Sequence, residues 1–246
     1  ATTEIYPLSL HDALPILLGG VHFFATRRSG LAEADKLSDR SLLAIGPVVV
    51  FGLLVTLFHL GNPVNAPRAI ANFGSSWLSR EIVLALVFVI GGAVFAVMQW
   101  RKVSTPTIRN VIALVVAAVG LVLIFAMASI YSIPTIPAWD SIATPVAFYI
   151  TTFLLGSLAL GAAFVTNFWY LRRKGMDEKN TQYMMLATTL RWIALLSILL
   201  LGLQFVVIPL YLAWLSTHAS AAAAASMSLI LNENGQIGRA SCRERV

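Results

Sequence analysis

The run VIALVVAAVGLVLIFAMASI, residues 111–130, holds no charge, and Ser129 is its one polar side chain. A helix crosses the roughly 30 Å hydrocarbon core of a bilayer with about 20 such residues. Four further apolar runs reach that length: 42–60, 82–100, 146–171 and 193–215. A sixth, 17–26, is too short to cross and reads as the second half of a first helix. The expected fold is all-α: a polytopic transmembrane helix bundle of five complete helices plus a truncated first.

Composition agrees. The protein is 58% hydrophobic and 11% charged, against about 25% charged in a soluble domain. Its formal net charge is +6, and in a membrane protein a basic balance marks cytoplasmic loops rather than nucleic-acid binding. The two ends differ from the rest. ATTEIYPLSLHDALPI matches, at all but Pro7, the translation of a common sequencing adapter, and the opposite strand of that DNA encodes IGRASCRERV followed by a stop. Residues 1–16 and 236–246 are therefore expected to be adapter peptide, leaving 17–235 as the membrane domain. The single cysteine, Cys242, falls in that tail. The remainder is expected to carry no disulfide, thiolate chemistry or cysteine-bound iron–sulfur cluster.

Lys and Arg are retained on the cytoplasmic side, so loop charges set the orientation. Arg27, Arg28, Lys36 and Arg40 follow the first helix; Arg101, Lys102 and Arg109 lie near 101–109; Arg172, Arg173, Lys174, Lys179 and Arg191 lie in 172–191. These three loops are expected inside. The loops at 59–82 and 131–145 hold only Arg68 and Arg80 between them and are expected outside. Tryptophan favours the interface. Trp77, Trp139 and Trp214 fall at the expected outer ends, and Trp100, Trp169 and Trp192 at the inner ends. Ser157 and Gly161 form a small-xxx-small pair suited to close helix approach.

The two outer loops, HLGNPVNAPRAIANFGSSWLSREI and YSIPTIPAWDSIATP, are dense in Pro, Gly, Asn and Ser, so their backbones leave helical geometry. On one side of the membrane they can meet. His59 ends its helix, with Gly61 the expected C-cap and Pro63 the stop. It can exchange a proton near neutral pH, or simply hydrogen-bond the cap. Glu81 is expected in the first turn of the next helix behind an N-cap at Ser79; the helix dipole accounts for a carboxylate there, and an acid at the membrane boundary is also a candidate proton acceptor. Arg68 and Arg80 fit solvation, lipid headgroups or a partner; Asp140 fits a cap or a docked protein.

Haem is not expected. Outside the adapter-like end the histidines are His22, His59 and His218. His22 and His59 sit toward opposite faces of a core about 30 Å thick, and His218 is expected in a Ser/Ala-rich loop. No nucleotide loop, nucleophile elbow or zinc spacing occurs. A small-solute transporter would show inverted repeats and a helix broken at mid-membrane; neither is visible, with Pro209 the clearest internal proline.

HLGNP followed by RAI, then SWLSREI, then TIPAWDS leading to TP and another long helix, resembles the membrane anchor subunit family of dimethyl sulfoxide reductase. The resemblance runs in segment order through 17–235, and the two outer loops carry its specificity. It implies an eight-helix, haem-free anchor in a bacterial or archaeal cytoplasmic membrane, with both loops on the periplasmic face. It further implies an electron-transfer subunit, inactive alone, that oxidises menaquinol in anaerobic respiration. Its partners would be an iron–sulfur subunit and, beyond it, a molybdopterin catalytic subunit. His59 and then Glu81 are the implied quinol-binding residues; Gly61, Asn62, Pro63, Arg68, Arg80, Trp139 and Asp140 would shape the site or dock the partner. A passive scaffold that tethers the reductase without handling quinol is the main competing reading.

Overall fold

In the computed structural model the described residues are 16–17, 20, 72–133, 136, 138–173, 175 and 181–218. The expected helix at 42–60 and the HLGNP loop with His59, Gly61, Asn62, Pro63 and Arg68 lie outside them. Every regular element among the described residues is helical: α1 Trp77–Arg101, α2 Pro106–Tyr131, α3 Ala143–Arg173 and α4 Thr181–His218. All four are long and apolar enough to span a membrane. The protein is a multi-pass membrane protein.

Each helix is longer than the apolar run that announces it, for identifiable reasons. α1 begins at Trp77 behind Ser76, not behind Ser79, which is buried inside the helix. Glu81 consequently stands in the second turn, and the first turn holds no acid. The dipole argument for Glu81 weakens accordingly, since that effect fades beyond the first turn. α2 starts at Pro106, where a missing N–H costs nothing, and the Thr105 hydroxyl accepts from the Ile108 N–H at 3.4 Å. α3 tolerates Pro145 because it falls in the first turn. α4 starts twelve residues before its apolar run. Its first turns are amphipathic: Leu186 and Ile193 are buried against α3, while Met184, Thr188 and Arg191 are exposed. The same helix continues through Pro209 to His218, so that residue ends a helix rather than sitting in a loop.

Successive helices pack in order, α1 on α2, α2 on α3 and α3 on α4. Lipid tails are as apolar as leucine, so close approach and hydrogen bonds hold such seams, rather than exclusion of water. On α1–α2, a Cβ at Gly120 would lie 2.8 Å from the Phe88 ring, and one at Gly91 would lie 2.9 Å from Val116 Cγ2. Ile16 also packs in this cluster. α2 meets α3 through Tyr149, whose hydroxyl donates to the Leu121 carbonyl at 2.8 Å. On α3–α4 the Ser157 and Ser197 hydroxyls lie 2.8 Å apart, and a Cβ at Gly161 would come within 3.3 Å of Ile193 Cγ2. The Ser157/Gly161 pair thus sits at a close helix contact, as its spacing indicated.

The tryptophans bracket a thickness. From Trp192 to Trp214 within α4 is about 33 Å, and from Trp77 to Trp100 within α1 about 35 Å, at about 1.5 Å per residue. Both match a hydrocarbon core of about 30 Å. The first eleven residues of α4 extend beyond Trp192 by a further ~16 Å. There Phe168 and Tyr183 lie with ring centroids 4.5 Å apart, tying α4's first turns to α3.

Candidate functional site at one end of the bundle

The up-and-down order gathers the start of α1, the end of α2, the start of α3 and the end of α4 at one end. That end holds Arg80, Glu81, Trp139, Asp140 and His218. Arg101, Lys102, Arg172 and Arg173 mark the other end, where the Arg173 guanidinium lies 3.5 Å over the Trp169 ring.

The turn before α1 is built by its own residues. Ser75 and Ser76 N–H donate to the Asn72 carbonyl at 3.1 and 3.0 Å. Arg80 reaches back from α1: Nε donates to the Phe73 carbonyl at 3.1 Å and Nη2 to the Gly74 carbonyl at 2.8 Å. Its guanidinium carbon also lies 4.4 Å from the Trp77 ring centroid. The planar fork thus closes a turn and stacks on an interfacial tryptophan. Trp77 in turn meets Phe125 of α2 edge-on at 5.9 Å. Glu81 follows immediately, half-buried and already engaged with other groups of the protein.

The connection between α2 and α3 is folded on an aromatic hinge. Tyr131 at the end of α2 meets Trp139 edge-on at 5.6 Å and Phe148 of α3 at 5.4 Å. The Trp139 carbonyl accepts from Ser141 N–H at 2.9 Å and from the Thr144 hydroxyl at 2.6 Å, which fixes the entry into α3. Trp139 N–H and Asp140 N–H both donate to the Ile136 carbonyl, at 2.9 and 3.2 Å. Trp139 is half-buried and the Asp140 side chain is exposed at the tip. Ala138 is buried with Leu215, and the Tyr211 hydroxyl of α4 donates to the Ala138 carbonyl.

Chemically, this end offers one carboxylate in the second turn of α1, one exposed carboxylate on the loop before α3, and the aromatic side chains of Trp77 and Trp139. Sequence reasoning singled out Arg80, Glu81, Trp139 and Asp140, and all four share this end. It missed Tyr211, the side chain through which α4 holds the loop. The signal available was the spacing Ser197, Gln204, Tyr211, three polar residues seven apart on one stripe of the otherwise apolar run 193–215. Among the described residues no group of three or more His, Cys, Asp or Glu could hold a metal.

Comparison with known proteins bears on this arrangement. The family model for the DMSO reductase anchor subunit (DmsC) matches residues 40–232. A component of the anaerobic dimethyl sulfoxide reductase of Escherichia coli (strain K12) is 31% identical over 146 residues, covering 57% of this protein and 50% of that one. The corresponding component of the Haemophilus influenzae enzyme is 32% identical over 113 residues, covering 46% and 40%. A component of the sulfite dehydrogenase of Allochromatium vinosum is 38% identical over 88 residues, covering 34% and 26%. The protein spans half or less of the length of these curated relatives. No solved structure matches it.

Proposed function

The protein belongs to the DMSO reductase anchor subunit family, and on that premise we propose that it anchors a molybdenum-dependent reductase complex in the bacterial or archaeal cytoplasmic membrane and oxidises menaquinol there. The observation that carries this reading is the polarity of the bundle. One end gathers Glu81, the Arg80-closed turn and the Trp139–Asp140 loop, while the other gathers Arg101, Lys102, Arg172 and Arg173. Basic residues at one end agree with a cytoplasmic face there, and this supports the reading that the loops lie outside.

In this mechanism quinol enters from the bilayer between helices at the loop end. Its two hydroxyls hydrogen-bond to His59 and Glu81, which take the two protons and release them outward. An iron–sulfur cluster in a docked subunit would accept the two electrons and supply the molybdopterin subunit. Trp139 and Asp140, held on the loop that Tyr211 ties down, form the docking surface together with Arg80, Arg68 and the segment Gly61, Asn62 and Pro63. A loop held by these hydrogen bonds fits this role, since each contact made beforehand lowers the ordering entropy that docking costs. The anchor has no catalysis of its own; the cofactors of reduction reside in its partners.

The test is fluorescence titration of membranes holding the full-length protein, co-expressed with its partner subunits, by a quinol-analogue inhibitor. Tight one-to-one binding that His59→Ala abolishes supports the reading. Binding untouched by that change moves the site away from the HLGNP loop. No binding by the wild-type complex leaves a passive scaffold.

A further inference from the structure

Ser197, Gln204 and Tyr211 recur every seven residues on α4, about 10 Å apart along the helix. The first and last of them have partners: Ser197 meets Ser157 across the α3–α4 seam, and Tyr211 donates to the Ala138 carbonyl. Gln204 between them differs. Its side-chain carbonyl oxygen is buried and, among the described residues, accepts no hydrogen bond. Pro209 has no N–H, so the carbonyl of Phe205 lacks its helical donor. The α3–α4 register is fixed by Ser157–Ser197 and Gly161–Ile193, and Gln204 lies on the same stripe of α4 as Ser197.

In lipid there is no bulk water to satisfy such groups, and an amide oxygen left bare in hydrocarbon is costly. Within the apolar run 193–215 a buried glutamine oxygen is stabilised only if something donates to it, and polar residues at this depth often mark binding sites or pathways. We propose that Gln204 is the acceptor of a hydroxyl-bearing guest in the α3–α4 seam, roughly two turns beneath Tyr211. The guest's O–H donates to the Gln204 side-chain carbonyl. Two sources share this chemistry: an ordered water and the hydroxyl of a quinol, which is then a second molecule, since both hydroxyls of the first are held by His59 and Glu81. The quinol arm rests on the function proposed above; the water arm does not.

The experiment uses the full-length complex in nanodiscs with glutamine labelled at its side-chain carbonyl. Infrared difference spectra of wild type against Gln204→Leu isolate one carbonyl band, recorded hydrated, dried, and with a short-chain naphthoquinol added. A hydrogen-bonded band in the hydrated sample that moves to the free position on drying identifies water. A band that shifts when naphthoquinol is added, with Gln204→Leu weakening naphthoquinol binding about two- to tenfold, the range of one neutral hydrogen bond, identifies the quinol. A band at the free position in every condition overturns the proposal. If the wild type binds no naphthoquinol, the quinol function fails while the hydrated spectrum still decides whether Gln204 has a guest.

Discussion

The contact between Ser157 and Ser197 makes a quantitative claim about how α3 and α4 are held. The hydroxyls are 2.8 Å apart, and each also lies within hydrogen-bond reach of its own helix: Ser157 of the Leu154 carbonyl at 2.8 Å, Ser197 of the Ile193 carbonyl at 2.9 Å. Two hydroxyls carry two protons, and three acceptor positions compete for them. Only one interhelical bond can form at a time, and whichever serine donates across the seam gives up its backbone bond. Replacing either serine by alanine therefore strands nothing, because the survivor turns back to its own carbonyl. Each single substitution should cost only about 0.5–1 kcal/mol, and the second should add almost nothing to the first. The coupling energy in a double-mutant cycle should fall near the ~0.6 kcal/mol average for polar contacts between membrane helices and below their ~1.7 kcal/mol maximum. The assay is reversible unfolding in bicelles of wild type, Ser157→Ala, Ser197→Ala and the double variant. Strictly additive costs, or a single substitution costing more than about 3 kcal/mol, would refute the reasoning.

Three further changes test other contacts. Gly161→Leu places a branched side chain where a bare Cβ already lies 3.3 Å from Ile193 Cγ2, so overpacking should cost about 1–3 kcal/mol in the same unfolding assay, while Gly161→Ala should be tolerated. Tyr211→Phe removes the donor to the Ala138 carbonyl; amides of the 138–142 segment should exchange roughly fivefold faster or more, as expected for about 1 kcal/mol of lost local stability, and unchanged exchange would mean that α4 does not hold the loop. Arg80→Ala opens the carbonyls of Phe73 and Gly74 and should speed exchange at Ser75 and Ser76. Arg80→Lys should fail to restore protection, since a point charge cannot replace a planar fork; a loss of partner co-purification without any change in exchange would instead assign Arg80 to docking alone.

The spans were legible because hydrocarbon imposes a length and a composition that a sequence cannot disguise. What lay outside them was harder to read. The first turns of α4 carry Thr188, Thr189 and Arg191, so a search for unbroken apolar residues starts at Ile193 and passes over Leu186, although its burial makes those turns helical and packed. Ser79 looked like a cap because it precedes Glu81, yet the helix had already started at Trp77; a tryptophan at a helix start carries no capping signature. At the candidate site, a search for protonatable groups found Glu81 and Asp140. It passed over Tyr211 and Gln204, whose significance depends on what they touch. His59, Gly61, Asn62, Pro63 and Arg68 lie outside the described residues, so their part in the site rests on the family and on the test of His59→Ala.

The link between α1 and α2 is four residues, 102 to 105, and two of them, Lys102 and Ser104, hold left-handed backbone at φ 53° and 72°. Such a link has no slack to lend. Sliding α1 along α2 would have to stretch a turn already at the edge of what side-chain-bearing residues adopt, so the pair behaves like tongs riveted at one tip. Any spreading between them is greatest at the far tip, beside Glu81, where a flat molecule arriving from the bilayer would need a gap to open.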